Sequence, residues 1–286
     1  MTSLTPGIDT HGGRAETANP LYVRHSPVVR AAHWLNVVFM AILLMSGLQI
    51  FNAHPALYWG KQSTFADPAL SMRASGQDGS RGVTKIGALS FDTTGWLGLS
   101  KGSDGELTER GFPSWITLPA DQDLATGRRW HFFFAWAFVV NGAVYLLYAL
   151  ASGHLWRDLT PRAREWREIP RSILRHAMLR FPRGEEARHY NIIQKLSYLG
   201  VIVFALAMIL AGLAMSPGMD AAFPFLLELF GGRQSARTIH FILAWSFVAF
   251  LAVHVAMVIL SGFYNNMRSM ITGRYATGER SPDDAA

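Results

Sequence analysis

Cysteine is absent from all 286 residues, so the chain can form no disulfide, hold no thiolate-bound iron-sulfur cluster and attach no c-type haem. Any redox metal must be held by other ligands. Charge is also scarce: 16% of residues are Asp, Glu, Lys or Arg, against about a quarter in soluble domains. Half of the residues are hydrophobic and the mean hydropathy is positive, at +0.17. These apolar residues gather into a few long runs, and the runs contain no acid at all. That excludes an ordinary soluble globule and sets the architecture.

A bilayer core about 30 Å thick needs roughly 20 apolar residues in a helix. Four segments meet this requirement: 31–51, 131–151, 192–215 and 238–261. The expected fold class is therefore an all-α membrane protein, a four-transmembrane-helix bundle. Orientation follows from basic residues in the connections. Between the second and third spans lie Arg157, Arg162, Arg164, Arg167, Arg171, Arg175, Arg180, Arg183 and Arg188 against five acids, which predicts a cytoplasmic loop. An even number of spans then places both termini inside, in accord with Arg14, Arg24 and Arg30 before the first span and Arg268, Arg274 and Arg280 after the last.

The chain thus divides into a cytoplasmic N-terminal segment 1–30, a four-helix domain 31–261 and a cytoplasmic tail 262–286. The net charge of +6 and pI near 9.8 are explained by these membrane-flanking arginines, and no nucleic-acid partner is expected. Residues 52–130 form a long external loop, nearly neutral and rich in Gly, Ser, Pro and Asp. A structureless stretch of that length is uncommon unless it is functional or disordered. Its Trp59, Trp96 and Trp115 point to partial order against a partner or the membrane surface, with a flexible insertion as the plainer alternative. No internal repeat stands out. LeuLeuMetSerGlyLeu at 43–48 echoes MetIleLeuAlaGlyLeu at 208–213 only faintly, and the echo carries no weight here.

The histidines carry the chemistry, because an ionisable or metal-binding side chain inside a span is costly and functional by default. His33, His131, His240 and His254 lie within or at the mouths of spans. On the last helix, His240 and His254 return to within about 40° of one face and sit about 21 Å apart along the axis. The alternating direction of the helices pairs His131 with His240 on the external side and His33 with His254 on the cytoplasmic side. Each pair can supply two axial nitrogens to a haem in the bundle core. Singly, each histidine is as readily an interhelical hydrogen-bonding or interface residue; four matched in depth are much harder to obtain by chance. His11, His25, His54, His154, His176 and His189 fall in loops or at span ends, where solvated histidine is the default. Gly47, Gly142 and Gly212 sit in mid-span, where they serve either close helix packing or the approach of a porphyrin.

The segment ArgHisSerProValValArgAlaAlaHisTrp at 24–34, with SerGlyLeu at 46–48, ArgArgTrpHis at 128–131, TyrAsnIleIleGlnLys at 190–195 and the paired histidines of the last helix, resembles the bacterial di-haem cytochrome b subunits. These include formate dehydrogenase gamma, nickel-iron hydrogenase b-type and thiosulfate reductase cytochrome b subunits. The resemblance implies two b-type haems ligated by His33, His131, His240 and His254, in the bacterial inner membrane. It further implies a quinone as exchangeable substrate and a separate periplasmic catalytic subunit, for which a molybdenum enzyme is one candidate.

The chain is then an electron-transfer subunit with no catalytic residue of its own. The long 52–130 loop departs from the formate dehydrogenase and hydrogenase subunits and looks more like the thiosulfate-reductase branch, so the substrate of the complex stays open. Arg30 and Arg237, one turn before His33 and His240, are candidates for haem propionates or for membrane-edge anchoring. Asn191, Gln194 and Lys195 share one helical face and suit a quinone carbonyl on the cytoplasmic side; the plainer reading is a solvated first turn with Lys195 snorkelling to headgroups. Competing readings are a stand-alone cytochrome b quinone oxidoreductase, a haem-free anchor and a transporter. The absence of acids in the spans speaks against the last.

Overall fold

The computed structural model of the protein describes residues 21–178 and 191–276. Arg14, Arg180, Arg183, Arg188 and Arg280, together with His11, His189 and Tyr190, lie outside the described residues. In chain order the helices are α1 (Pro27–Asn52), α2 (Leu124–Ala151), α3 (Ile169–Ala177), α4 (Ile192–Ala214), α5 (Pro217–Ala222), α6 (Phe225–Leu229), α7 (Arg233–Leu260) and α8 (Phe263–Thr272). Helices α1, α2, α4 and α7 are each long and apolar enough to cross a membrane. Their outer faces expose side chains such as Phe133, Leu147, Val203 and Val253, as helices immersed in lipid do.

Helices α1, α2 and α7 begin several residues before the apolar runs, because polar residues start them. Ser26 accepts a hydrogen bond from the Val29 amide at 3.3 Å, with Pro27 preset for the first helical position. Asp123 accepts one from the Thr126 amide at 3.0 Å and starts α2. Helix α7 follows Gly231 and Gly232, both at positive φ. A Cβ on Gly232 would lie 2.6 Å from the Gly60 carbonyl oxygen, so only glycine lets these segments meet.

The helices pack as two pairs, α1 against α2 and α4 against α7, and the pairs approach each other at only a few positions. The loosely packed seam between the two pairs is the groove of the bundle. At one end the first and last described segments meet: β1 (Leu21–Val23) pairs antiparallel with β8 (Arg274–Ala276), and Trp34 Nε1 donates to the Met270 carbonyl at 3.2 Å. We call this the terminal side.

The opposite side corrects the all-α expectation. The segment expected as a long loop is a folded β unit. Strands β2 (Ala56–Leu57), β3 (Leu70–Ser75), β4 (Arg81–Ile86) and β5 (Leu89–Asp92) form an antiparallel sheet in that order, and β6 (Gly98–Lys101) pairs with β7 (Leu107–Arg110). Its core is shared with the end of α1: Leu48 and Phe51 pack with Leu57, Met72 and Phe112. Asn52 exchanges two hydrogen bonds with the Phe112 backbone at 2.7 and 3.2 Å, and Gln49 donates to the Asp121 carbonyl at 2.7 Å. Buried Arg110 donates to the Phe112 and Ala120 carbonyls and to Thr117 Oγ1. The β unit is thus a rigid continuation of α1.

Candidate functional site

His131, in the second turn of α2, and His240, in the second turn of α7, face each other across the groove on the β side. Their ring centres are 6.2 Å apart. Each ring is held by the neighbouring helix in the same way. His131 Nδ1 lies 3.2 Å from the Leu43 carbonyl oxygen and 3.1 Å from Ser46 Oγ; His240 Nδ1 lies 3.1 Å from the Met208 carbonyl oxygen. A carbonyl can only accept, so each Nδ1 carries the proton and each Nε2 keeps its lone pair. Four residues after each carbonyl stands a glycine. A Cβ on Gly47 would sit 3.3 Å from His131 Cε1, and one on Gly212 would sit 3.4 Å from His240 Cε1.

The faint echo between 43–48 and 208–213 is therefore a shared structural device, a carbonyl and a glycine that seat a histidine from the paired helix. Gly142 takes no such role, since nothing lies within 4 Å of its position.

On the terminal side His33 of α1 faces His254 of α7, with ring centres 6.3 Å apart. His254 stacks on Phe250 at 5.9 Å, and Trp34 meets the His33 ring edge-on at 5.3 Å. His33 Nδ1 is buried and makes no hydrogen bond. Beside it, buried Asn141 of α2 donates to the Ala32 carbonyl at 2.9 Å and to Asn36 Oδ1 at 2.7 Å, pinning α2 to the first turns of α1.

Both pairs fit a metal between them. Bonds of about 2 Å from each nitrogen to the ion, plus about 1 Å from nitrogen to ring centre, hold the rings about 6 Å apart, the spacing seen in both. Among the described residues no group of three or more His, Cys, Asp or Glu could hold an ion. Two ligands without a third suit an ion whose remaining coordination comes from its own macrocycle, as in haem.

The family described as prokaryotic cytochrome b561 matches residues 24–273. The putative protein-methionine-sulfoxide reductase subunit YedZ1 of Azospira oryzae is 31% identical over 242 residues, covering 84% of this chain and 92% of that relative. The protein is a multi-pass membrane cytochrome of the b type. It belongs to the prokaryotic cytochrome b561 family.

The remaining candidate residues have definite places. Arg30 Nη1 donates to the Ile271 carbonyl at 2.5 Å, tying α1 to α8. Arg237 Nη2 donates to the His54 carbonyl at 2.5 Å, and its guanidinium lies 5.6 Å from the Phe51 ring centre. Arg128, also three residues before a groove histidine, lies over Phe132 at 5.4 Å; sequence reasoning passed over it although its spacing repeats that of Arg30 and Arg237.

Asn191 and Gln194 form a reciprocal capping box at the start of α4, at 2.9 and 3.1 Å. Lys195 is 5% exposed and donates to both carboxylate oxygens of Glu165, at 2.8 and 2.9 Å. In place of a snorkelling lysine, a buried Lys195 pairs with a partly exposed Glu165. Of the histidines expected to be solvated, His25 is half-buried and held at about 4 by burial and then by Arg24. His154 Nδ1 pairs with Asp158 at 2.7 Å. His54 stacks on Tyr58 at 5.7 Å, its pKa lowered by burial and then by Arg237.

Proposed function

We propose that this protein is the electron-transfer subunit of an oxidoreductase complex in the bacterial inner membrane, linking the quinone pool to a periplasmic catalytic subunit through two b-type haems. The observation that carries the reading is the presence of two facing histidine pairs at opposite ends of one groove, each at the spacing a shared metal ion requires. His131 and His240 would hold one haem on the β side, and His33 and His254 would hold the other on the terminal side. When bound, haem supplies reversible one-electron transfer at its iron.

The chain's own part is to hold and tune the ligands. The Leu43 and Met208 carbonyls orient His131 and His240, fix the tautomer and raise the basicity of the ligating nitrogens. The histidine pair on the terminal side is steadied by aromatic contacts instead, which supports a different potential at the two sites. Arg30 and Arg237 stand one turn from ligands, in positions to meet haem carboxylates. The described arginines of the connection after α2 lie on the same side as strands β1 and β8, which supports assigning that side to the cytoplasm and the β unit to the periplasm. The relative from Azospira oryzae is named as a subunit of a putative reductase, which supports a separate catalytic partner here. The exposed Trp59, Trp96 and Trp115 of the β unit are available to meet it. The wider family resemblance points to a molybdenum enzyme as the partner's class.

Quinone reacts on the terminal side, beside His33 and His254, with Asn191, Gln194 and Lys195 contributing. The capping box uses one oxygen of each amide and leaves both amide nitrogens as donors. To test this, Asn191 and Gln194 are replaced separately by alanine. Each change costs about 1 kcal/mol of helix capping, so an unchanged haem spectrum must be established first. Reduction of the haems by a quinol analogue is then expected to slow severalfold in both variants. Unchanged kinetics and unchanged inhibitor affinity in both would move the quinone to the β side.

A further inference from the structure

Residues 54–60 lead from α1 into the β unit and are stitched to the first turns of α7. The Gly60 amide donates to Ser235 Oγ at 2.7 Å, Thr238 Oγ1 donates to the Tyr58 carbonyl at 2.7 Å, and Arg237 holds the His54 carbonyl. This places two unusual polar atoms beside the Arg237 guanidinium. His54 Nε2 and the Tyr58 hydroxyl are both buried and make no hydrogen bond within the chain, although Tyr58 is only 1% exposed. Their rings stack at 5.7 Å and 21°, and Phe65 covers both at 5.4 and 6.2 Å. No carboxylate pairs with Arg237 among the described residues.

Buried polar atoms normally have partners. A phenol and an imidazole stacked against Phe65, with a guanidinium bonded to the carbonyl of that same histidine and no acid paired with it, suit a carboxylate ligand. Arg237 lies three residues before His240 on the same helical face, so the cluster sits one turn to the β side of that ligand. Haem carries two carboxylates on its edge.

We propose that His54, Tyr58 and Arg237 receive a carboxylate of the haem held by His131 and His240, which makes the first residues of the β unit part of that cofactor site. The inference rests on the haem reading above. It also gives the β unit a role beyond meeting a partner: it closes the haem groove and sets the charge balance at the haem's edge. Donors that neutralise the carboxylate favour the reduced iron, so their loss lowers the potential.

The test is a potentiometric titration of the visible spectrum of the full-length protein in detergent. Arg237→Gln is expected to shift the oxidised-to-reduced ratio of one haem about tenfold towards oxidised at fixed ambient potential, and Tyr58→Phe and His54→Leu about threefold each. The second haem stays unchanged, and Arg237→Lys falls between wild type and Arg237→Gln because the charge remains. Ser235→Ala removes a stitch but no donor and leaves both potentials unchanged. Full haem content with both potentials unaltered in Tyr58→Phe, His54→Leu and Arg237→Gln would overturn the proposal. So would a shift in Ser235→Ala as large as theirs, since the segment would then act only as a buttress. If Arg237→Gln loses the haem, Tyr58→Phe, which removes a single oxygen, decides alone. Absence of haem from the unaltered protein refutes the haem reading itself and is told apart at the first spectrum.

Discussion

A histidine on a helix can offer either ring nitrogen to a ligand, and here the choice is made by backbone atoms of another helix. The carbonyls of Leu43 and Met208 take the Nδ1 protons, while Gly47 and Gly212 make room for the rings. The four groove histidines and their pairing by depth were legible in the sequence. The seats were not, because a carbonyl has no residue signature and leucine and methionine serve equally. His54 and Tyr58 were hidden for a similar reason, as their burial depends on contacts with α7 far along the chain. His25 gives this scale its own prediction. Its pKa is lowered from 6.5 to about 4 by burial and then by Arg24, so between those values the unfolded chain binds a proton that the folded chain does not. Stability therefore rises with pH across that window and is lost as pH falls from 6.5 towards 4. Melting temperatures in detergent between these pH values should show that slope, and His25→Gln should flatten it. An equally steep slope in the variant would contradict the assignment.

The four long helices could be read from composition because lipid demands about 20 apolar residues in each. Their starts were displaced by up to seven residues because Ser26, Asp123 and Gly232, all polar or small, initiate α1, α2 and α7 outside the apolar runs. The β unit was not legible. Its strands are two to six residues long, and its core borrows Leu48 and Phe51 from α1, so little alternation is left in the strands themselves. The ion pair of Lys195 was not legible, since Glu165 lies thirty residues upstream in a 3-10 turn. That ion pair fastens the connection after α2 to the first turn of α4. Glu165→Gln leaves the lysine buried without its counter-charge and should destabilise by about 2 kcal/mol, less than for a fully buried pair because Glu165 is partly exposed, whereas Glu165→Leu combined with Lys195→Met should recover most of the loss. Thermal unfolding followed by circular dichroism checks this. Equal loss in the single and double variants would show that packing, not charge, matters there.

At the scale of the molecule, two helix pairs enclose a groove, and one histidine pair stands towards each of its ends. The paired strands β1 and β8 lie on one side, and the β unit occupies the other. The assignment of these sides predicts that a membrane-impermeant thiol reagent applied to intact cells labels Ser103→Cys and spares Ser172→Cys; the cysteine-free background makes the result unambiguous. The reverse pattern would invert the orientation and exchange the sides assigned to the two histidine pairs. The central claim, two haems each held by one histidine pair, is tested most directly by haem content per chain from the reduced-minus-oxidised spectrum of the purified protein and four single alanine variants. Two haems are expected in the unaltered protein. His131→Ala and His240→Ala should each lose the same haem, and His33→Ala and His254→Ala the other. Two full haems retained in all four variants, or none in the unaltered protein, would contradict the account.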